Sequence, residues 1–577
     1  MKSYTYVALL TILVIVIFPW VSGRQDDNSK DMAKFVPESA LLYFEQHHGS
    51  SVLKEFRESP LGKKFEEIQF IETGKRIGLK EPLLVDIKNI LSFYSSAKDS
   101  RLFHEIFGEM FAGAILFPID RKKYADVKSY IRDNSVIISK PKHSAKGLEF
   151  LGESYLKFTK THSVSNTQYG SYHIWRLRTN VQTLSVATVK GFFVMSLNER
   201  QLRRCIDTFD AELPALADDD DYLEIRKSFE MSDRFFYLPI KDTRKFIVKA
   251  VKDLSFPWKK LLLKELETTV GFLNFGYGSW NSKESVVDKV MVKYDKYEVN
   301  KVVKNHTNIA PIPCSMLSLT TEDPMAFYWS NTVKLKHILQ YFEENTKNDP
   351  QVEKFWSTVE SVTGMNTRQI FSLLGGEVSL VFEPGPKDDF FSFPLGMFFL
   401  KVKDVAKLNS VFEKIIDEYD IQVSVKLSGP VRYTYWTPSP QDGLQPLYGF
   451  WGDLLFLGNS SKLLDRIIEK KSREISLLDN ESVKVIDPGF TEKNNSITYM
   501  NNVQLIKVLQ KFLTLVGMTV AIENREMAFK ARAIIEDIVN PLLEGASMYD
   551  KSSTRSYFTP EMVIVDSITN KTISPAN

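Results

Sequence analysis

Cysteine is scarce in this chain: its 577 residues include only two, Cys205 and Cys314. So few cysteines exclude the disulfide-stapled architecture of small secreted domains. One bridge between the two stays open, because a sequence cannot establish the geometry that a disulfide needs. The eight histidines are scattered, and neither paired metal ligands nor a cysteine–histidine set occurs. We therefore predict no metal site and no cofactor.

A dominant charge sign and the common catalytic motifs are also missing. The 74 basic and 72 acidic side chains leave a formal net charge of +2, without the basic stripe typical of nucleic-acid-binding proteins. The sequence has neither a glycine-rich phosphate loop nor a nucleophile elbow. These absences predict a protein without a nucleic-acid partner and, in the favoured interpretation, without catalytic activity.

The N-terminus carries a targeting pattern. Lys2 precedes an apolar run from Tyr6 to Trp20, and the small residues Ser22 and Gly23 follow. This order is typical of a secretory signal peptide, and the run is shorter than the about 20 residues of a membrane-spanning helix. A cleaved signal and an uncleaved membrane anchor both stay open. Either one predicts an extracytoplasmic chain that is periplasmic, secreted or anchored to the inner membrane.

Short patterns recur along the chain at one spacing. Each copy includes a tryptophan-bearing strand, a strand preceded by glycine, and a strand that leads into a helix. The matched positions are Trp175 with Trp436, Gly191 with Gly452 and Asp233 with Asn494, each 261 residues apart (436 − 175 = 261). Three markers at one offset predict an internal duplication.

The duplication and the local patterns together predict the fold. Apolar strands, amphipathic helices and short connections indicate an antiparallel sheet with helices packed on one face, an α+β module present in two tandem copies. The predicted segments are a signal peptide or membrane anchor at 1–23, a polar linker at 24–34, a first module at 35–300, a second module at 310–568 and a tail at 569–577.

Two sets of acidic residues have both a functional and a structural interpretation. Asp218–Asp221 could ligate calcium, but the run lacks the alternating ligands and the glycine of a calcium loop. We favour the acidic first turn of a helix there, because carboxylates are stabilised at helix N-termini. Glu109 and Glu377 recur beside strand starts, and we predict that each makes a local hydrogen bond or salt bridge.

Aromatic residues make up 12% of the chain and concentrate in a few strand patterns. Alternate strand residues share a face, so an uncovered face could form an apolar ligand groove. The residues predicted to line such a groove are Trp175, Phe192, Tyr433, Tyr435, Trp436, Phe450 and Trp451. The favoured alternative is an ordinary core between sheet and helices.

Four short segments resemble one known family. The opening Val36–Tyr43 (VPESALLY) is joined by LGGE at 374–377, VKDVAKL at 402–408 and LADDDDY at 216–222. These segments are similar to those of exported bacterial proteins known as a domain-of-unknown-function family, number thirty-three fifty-two. The second copy departs from the opening pattern at 312–315. The family has no established catalytic residues, so the resemblance implies no site.

Three classes of function follow. The first is an exported cell-envelope protein that acts as a non-enzymatic binding or scaffold protein, with an envelope protein or an apolar ligand as partner. The second is a protein that binds or transfers lipid in an aromatic-lined groove. The third is a hydrolase whose site matches no motif. In each case the N-terminal segment is a predicted contact with the membrane.

Overall fold

The computed structural model describes residues 32–119, 127–141, 163–178, 183–252, 259–333, 350–385, 393–436, 445–523 and 525–572. Within these ranges, helices and a large antiparallel sheet confirm the α+β class. The predicted signal or anchor at 1–23 lies outside the described residues. Among the described helices, none combines the length and the apolar character needed to cross a bilayer.

Twenty strands of the described chain form one sheet. The first ten are β1 (Leu42–His47), β2 (Met110–Ile115), β3 (Ser135–Lys140), β4 (Ser163–Tyr169), β5 (Tyr172–Arg178), β6 (Thr183–Val189), β7 (Phe192–Ser196), β8 (Arg234–Pro239), β9 (Phe272–Asn281) and β10 (Ser285–Tyr294). The second ten are β11 (Ala326–Ser330), β12 (Leu374–Glu383), β13 (Leu395–Val402), β14 (Ser424–Ser428), β15 (Val431–Tyr435), β16 (Leu447–Trp451), β17 (Leu454–Gly458), β18 (Ser496–Asn501), β19 (Tyr549–Phe558) and β20 (Met562–Lys571).

The strand order reads the same way in the two halves. The first half runs β4-β5-β6-β7-β3-β2-β1-β8-β9-β10, and every neighbour is antiparallel. The second half runs β14-β15-β16-β17-β13-β12-β11-β18-β19-β20. The two halves meet where β10 pairs with β20, from Ser285 opposite Asn570 to Lys293 opposite Met562.

Equivalent turns of the two halves are not separated by a constant 261 residues. The two-residue turn between β6 and β7 begins at Lys190, and its equivalent between β16 and β17 begins at Gly452, a separation of 262 (452 − 190 = 262). The turns before β5 and β15 begin at Gly170 and Gly429, a separation of 259 (429 − 170 = 259). Trp175 therefore corresponds to Thr434 and not to Trp436.

Helices fill the connections. In the first half they are Ala33–Phe35 (3-10), Gly49–Glu58, Pro60–Glu67, Phe70–Arg76, Glu81–Asp99, Arg101–Phe107, Val127–Asn134, Glu199–Phe209, Leu216–Asp218 (3-10), Asp220–Lys227, Ile240–Lys252, Lys259–Thr268 and Lys301–Thr307. In the second half they are Pro350–Thr363, Thr367–Ser372, Val405–Glu418, Ser461–Ser472, Leu477–Asp479 (3-10), Glu481–Lys484, Asn502–Glu523, Arg525–Ile534, Ile535–Val539 (π) and Asn540–Ala546.

Helix caps explain several of these boundaries. Asn366 caps Thr367–Ser372 in a reciprocal capping box with Gln369, as an N-cap asparagine should. Two glycines near helix ends do not adopt the left-handed conformation that is common at helix C-termini. Gly108 has φ −76°, and Gly375 lies in β12, where a Cβ would come 2.8 Å from the Lys401 carbonyl oxygen.

The prediction that helices cover one face of the sheet is wrong for the second half. Phe399 packs in a core with the helix Ser461–Ser472. Its neighbour Leu400 packs in a separate cluster with the helices Pro350–Thr363 and Val405–Glu418. Adjacent strand residues point to opposite faces, so both faces are covered. The physical reason is that β13 (LGMFFLKV) is apolar on both faces.

Helices from the two halves also pack against each other. Gly545 sits so close to the helix Pro60–Glu67 that a Cβ there would lie 2.6 Å from the Leu61 Cα. Arg76 forms an ion pair with Asp537, which also accepts a hydrogen bond from Thr73 at 3.1 Å. The helical group between β1 and β2 is thereby joined to the one between β18 and β19.

Candidate functional site

The seven aromatic residues predicted to line a groove pack in separate clusters. Phe192 lies in the core of the first half, Tyr433, Tyr435 and Trp451 pack in the main core of the second, and Trp436 and Phe450 pack in the cluster on its other face. Trp175 is half-buried on β5. These positions do not share one surface, because neighbours such as Phe450 and Trp451 point to opposite sides of β16.

The acidic run 218–221 forms a helix start. The Asp219 carboxylate accepts the Tyr222 amide at 2.6 Å and caps the helix Asp220–Lys227. Asp221 pairs with Lys293 at 2.7 Å. In the described part of the chain, no group of three or more potential metal-binding side chains is assembled.

The two recurring glutamates each face a lysine on the next strand. Glu109 pairs with Lys140 at 3.0 Å, and Glu377 lies 3.9 Å from Lys401 and accepts a hydrogen bond from Ser315. These contacts agree with the predicted local salt bridge.

Both cysteines are free. Burial raises the pKa of each thiol to about 12. A thiol with so high a pKa is a poor nucleophile at neutral pH.

A buried ion pair that the sequence did not reveal lies at the centre of the first half. The Arg226 guanidinium contacts the Glu45 carboxylate at 2.5 Å, with side chains 4% and 0% exposed. The Tyr43 hydroxyl donates to the same carboxylate at 2.7 Å. Burial alone would raise the pKa of Glu45, but Arg226, His47 and Tyr43 outweigh it and hold the pKa below its usual value. The pair is enclosed in the core, so we interpret it as structural.

The most conspicuous surface feature is apolar. The helices Glu81–Asp99, Asn502–Glu523 and Arg525–Ile534 belong to the two joined helical groups, and they carry eight exposed large apolar side chains. We call these side chains the apolar helix surface: Val85, Phe93, Leu509, Phe512, Met518, Met527, Phe529 and Ile534. The side chains of Phe93, Phe512, Met527 and Phe529 are each more than half exposed. Six of the eight lie within residues 509–534.

The helix Asn502–Glu523 explains why this surface forms. Apolar residues occur all around it, and a helix with that pattern is normally buried on every side. Here it contacts β19 and the helix Arg525–Ile534, and only Ile506 among its described apolar side chains is buried. The other apolar side chains described on this helix, from Val503 to Met518, stay partly or largely in contact with solvent.

The part of the apolar helix surface within residues 502–534 has a basic setting, whereas the helix Glu81–Asp99 carries three acidic and two basic side chains. Residues 502–534 contain five Lys or Arg and two Glu, a net charge of +3. Lys507 and Lys511 are exposed one turn apart on the helix that bears Leu509 and Phe512. Apolar side chains interleaved with basic ones are typical of helices that lie in a membrane interface.

These features define an α+β protein with a central sheet shared by two topologically alike halves and an uncovered apolar helix surface. The chain belongs to the family described as a protein of unknown function, DUF3352, whose model matches residues 114–534. The resemblance seen in the sequence is thereby confirmed.

Solved structures add only weak similarity. Crystal form IV of TP0453 aligns with TM-score 0.23 and 12% identity over 46% of this chain and 83% of that one. Crystal form III aligns with TM-score 0.22 and 11% identity over 49% and 85%. At these scores neither supports a conclusion about this chain. No curated protein matches it.

Proposed function

We propose that this chain is an exported, non-enzymatic binding protein of the cell envelope that contacts an anionic lipid layer through the apolar helix surface. The observation that carries the proposal is the density of exposed large apolar side chains between Leu509 and Ile534. Uncovered apolar patches on soluble proteins mark interaction sites. Export is supported by the sequence pattern at Lys2 and Tyr6–Trp20.

Charge favours lipid over a protein partner. The net charge of +3 in residues 502–534 complements anionic headgroups, where each surface lysine or arginine contributes about 1 kcal/mol. The apolar side chains of the same helices would enter the interface below those headgroups. An envelope protein docked on this surface is the second candidate, and it requires no anionic lipid.

Catalysis has less support than binding. The groups with the largest pKa displacements include Tyr43, Tyr222 and Cys205, and burial is the main cause in each case. Such groups lie inside the cores and not in a cleft that a substrate could enter. A hydrolase would need titratable groups shifted within an accessible cleft.

We also propose that the two halves descend from one duplicated unit of ten strands. The shared strand order supports this, although the separation between equivalent turns varies from 259 to 262 residues. Unequal separations indicate insertions and deletions in the connections, which loops tolerate.

The experiment is flotation of residues 24–577 with vesicles of phosphatidylglycerol and phosphatidylcholine. Phe512, 56% exposed, would bury about 110 Å² of apolar area on insertion. That area corresponds to about 2–3 kcal/mol, so Phe512→Glu should weaken partitioning roughly 30- to 150-fold. Met527→Glu, at 60% exposure, should act similarly.

The matched control is Leu427→Glu, because Leu427 is 67% exposed on β14 at the outer edge of the sheet. It adds the same charge at a similarly exposed apolar position and should leave flotation unchanged. Equal flotation of Phe512→Glu, Met527→Glu and the parent would overturn the lipid contact. Absent flotation, together with a cross-link from this surface to one envelope protein, would establish the second candidate instead.

A further inference from the structure

A cleft of about 490 Å³ lies over the junction of β10 with β20 and shares no residue with the apolar helix surface. We call it the junction cleft. Its volume is within the range of pockets that bind small organic ligands. Both halves contribute to its lining, the first with Ser228, Trp280 and Lys289 and the second with Asp487, Pro488 and Asp566.

The pleat of the sheet decides which strand side chains reach the junction cleft. Trp280, Val287 and Ile568 stand in one row across β9, β10 and β20 and form an apolar floor. Lys289 and Asp566 lie opposite each other two residues further along β10 and β20, so their side chains share the same face. The floor is therefore apolar in one row and charged in the next.

Trp280 gives the floor an aromatic surface of fixed orientation. Its ring stacks on Phe229, with centroids 6.2 Å apart and ring planes 20° apart. Phe229 is fully buried in the core of the first half, so the indole is held from that side by a closely packed residue. An aromatic ring that is already held in place costs little to order when a ligand binds.

Asp487 supplies a hydrogen-bond acceptor that is also held in place. Its Oδ1 accepts the amides of Gly489 at 2.9 Å and Phe490 at 2.7 Å. Its Oδ2 accepts no hydrogen bond from the described part of the chain. A ligand hydroxyl can therefore donate a charge-assisted hydrogen bond to Oδ2 without any reordering of the carboxylate.

The junction cleft has unused donors as well. The Lys289 ammonium lies 3.7 Å from Asp566 Oδ1, beyond hydrogen-bond distance. The other oxygen of Asp566 is held by Arg555 at 3.0 Å. Neither the Lys289 ammonium nor the Ser228 hydroxyl donates a hydrogen bond to any described residue. Donors and acceptors without partners thus stand beside the apolar row.

The arrangement of charges disfavours an ion as the ligand. Lys289 and Asp566 stand next to each other, and Arg555 behind them is also paired with Glu492. Asp288 lines the junction cleft with its backbone, whereas its carboxylate is on the opposite face of the sheet and accepts a tyrosine hydroxyl there. Across the described residues, no three potential metal ligands come together. Groups of both signs side by side fit an uncharged ligand that is rich in hydroxyls.

We propose that the junction cleft binds a neutral pyranose sugar. A pyranose has hydroxyls around its rim that both donate and accept, and its faces present C–H groups. Its hydroxyls donate to Asp487 and Asp566 and accept from Lys289, and one C–H face lies against Trp280. The sugar can be free or a unit of a glycan chain, and the two sources differ in what is gained from neighbouring units. This site goes beyond the proposed lipid contact and does not depend on it.

The test is a saturation-transfer NMR titration of the full chain, purified from the envelope of an exporting host, without added vesicles. The probes are maltotriose and tri-N-acetylchitotriose, with glucose and N-acetylglucosamine as their monosaccharides. We expect saturable binding of at least one probe. Asp487→Asn keeps the oxygen that accepts the two amides and replaces the unused oxygen with an amide nitrogen. It should weaken binding about tenfold or more, and so should Lys289→Met, because each removes a hydrogen bond to a charged group.

The matched control is Asp295→Asn. Asp295 also accepts a backbone amide, that of Tyr297 at 2.8 Å, and it is not part of the junction cleft. This variant should bind the sugar like the parent.

The outcomes separate the alternatives. A trisaccharide bound about tenfold or more tightly than its monosaccharide supports a glycan chain, and a smaller difference or tighter binding of the monosaccharide supports a free sugar. No saturable binding of any of the four sugars overturns the site. Binding that neither Asp487→Asn nor Lys289→Met weakens, or that Asp295→Asn weakens equally, also overturns it.

Two features keep the test decisive. Lys289→Met leaves Asp566 paired with Arg555, so it decides the question if thermal unfolding shows that Asp487→Asn does not fold. Neither substitution alters the apolar helix surface, so vesicle flotation of both variants should match that of the parent. Failure of the sugar site and failure of the lipid contact are therefore distinguishable.

Discussion

The buried pair of Glu45 and Arg226 yields a sharp prediction about stability. In Glu45→Gln the shape of the side chain is kept, but Arg226 is left as an uncompensated charge in a site 4% exposed. Removing one member of a buried pair costs about 3–5 kcal/mol. We expect that loss in the free energy of unfolding at pH 7, measured by urea titration with tryptophan fluorescence.

Two further variants make the measurement specific. Glu526→Gln removes one member of an exposed pair with Lys530 and should change stability by less than about 0.5 kcal/mol. Combining Glu45→Gln with Arg226→Met removes both buried charges and should recover most of the loss. A loss of less than about 1 kcal/mol in the free energy of unfolding of Glu45→Gln would refute the reasoning, because burial of an unpaired guanidinium costs more than that.

The same pair sets a pH dependence. The pKa of Glu45 is lower in the folded chain than its usual value. The stability that the carboxylate contributes is therefore fully present above the unfolded pKa of about 4.3 and is lost as the pH falls through the folded pKa. Glu45→Gln should remove this part of the acid sensitivity.

Three other predictions concern packing and titration. Gly545→Ala should destabilise the contact between the halves by about 1–3 kcal/mol, because the added Cβ meets the Leu61 backbone. Gly517→Ala is the control: its Cβ meets no atom closer than 3.9 Å, so it should stabilise the folded chain by about 0.5–1 kcal/mol. Both cysteines should resist a thiol reagent at pH 7.5 and react after unfolding, because burial raises their pKa to about 12. Burial lowers the pKa of Lys470 to about 8, so urea stability should rise between pH 8 and the unfolded pKa of about 10.4. Lys470→Met should reduce that rise, and the remainder comes in part from Lys571, whose pKa burial also lowers to about 8.

Periodicity and capping were informative wherever one face of an element is buried. The patterns at 285–294 and 405–419 favour a strand and a helix, and the structure has the strand Ser285–Tyr294 and the helix Val405–Glu418. β19 is hard to recognise from the sequence, because its polar segment KSSTRSY does not alternate between apolar and polar residues. Its polar residues find partners across the strands, as Arg555 does with Asp566 at 3.0 Å and Thr554 with Ser567 at 2.9 Å. β20 likewise extends to Lys571, into the predicted tail.

The candidate sites were harder to predict than the fold. An apolar helix such as Asn502–Glu523 gives no sign in the sequence of which side chains its neighbours fail to cover. Other contacts join residues that are far apart in the chain, as when the Arg204 guanidinium donates to the Ser39 hydroxyl, 165 positions away. The resemblance pointed to the opening segment 36–43 and the segment 216–222, and the structure brings them together, with the Leu216 amide donating to the Val36 carbonyl at 2.7 Å.

The junction of β10 with β20 makes assembly of the sheet depend on the last strand of the described chain. Until Met562–Lys571 has been synthesised and delivered, β10 is paired only with β9, and a nine-residue row from Ser285 to Lys293 stays unpaired. An open edge of that length is a template for pairing with other chains. A folded first half therefore exposes this edge until the second half is complete, and a chain that ends before β20 keeps it exposed.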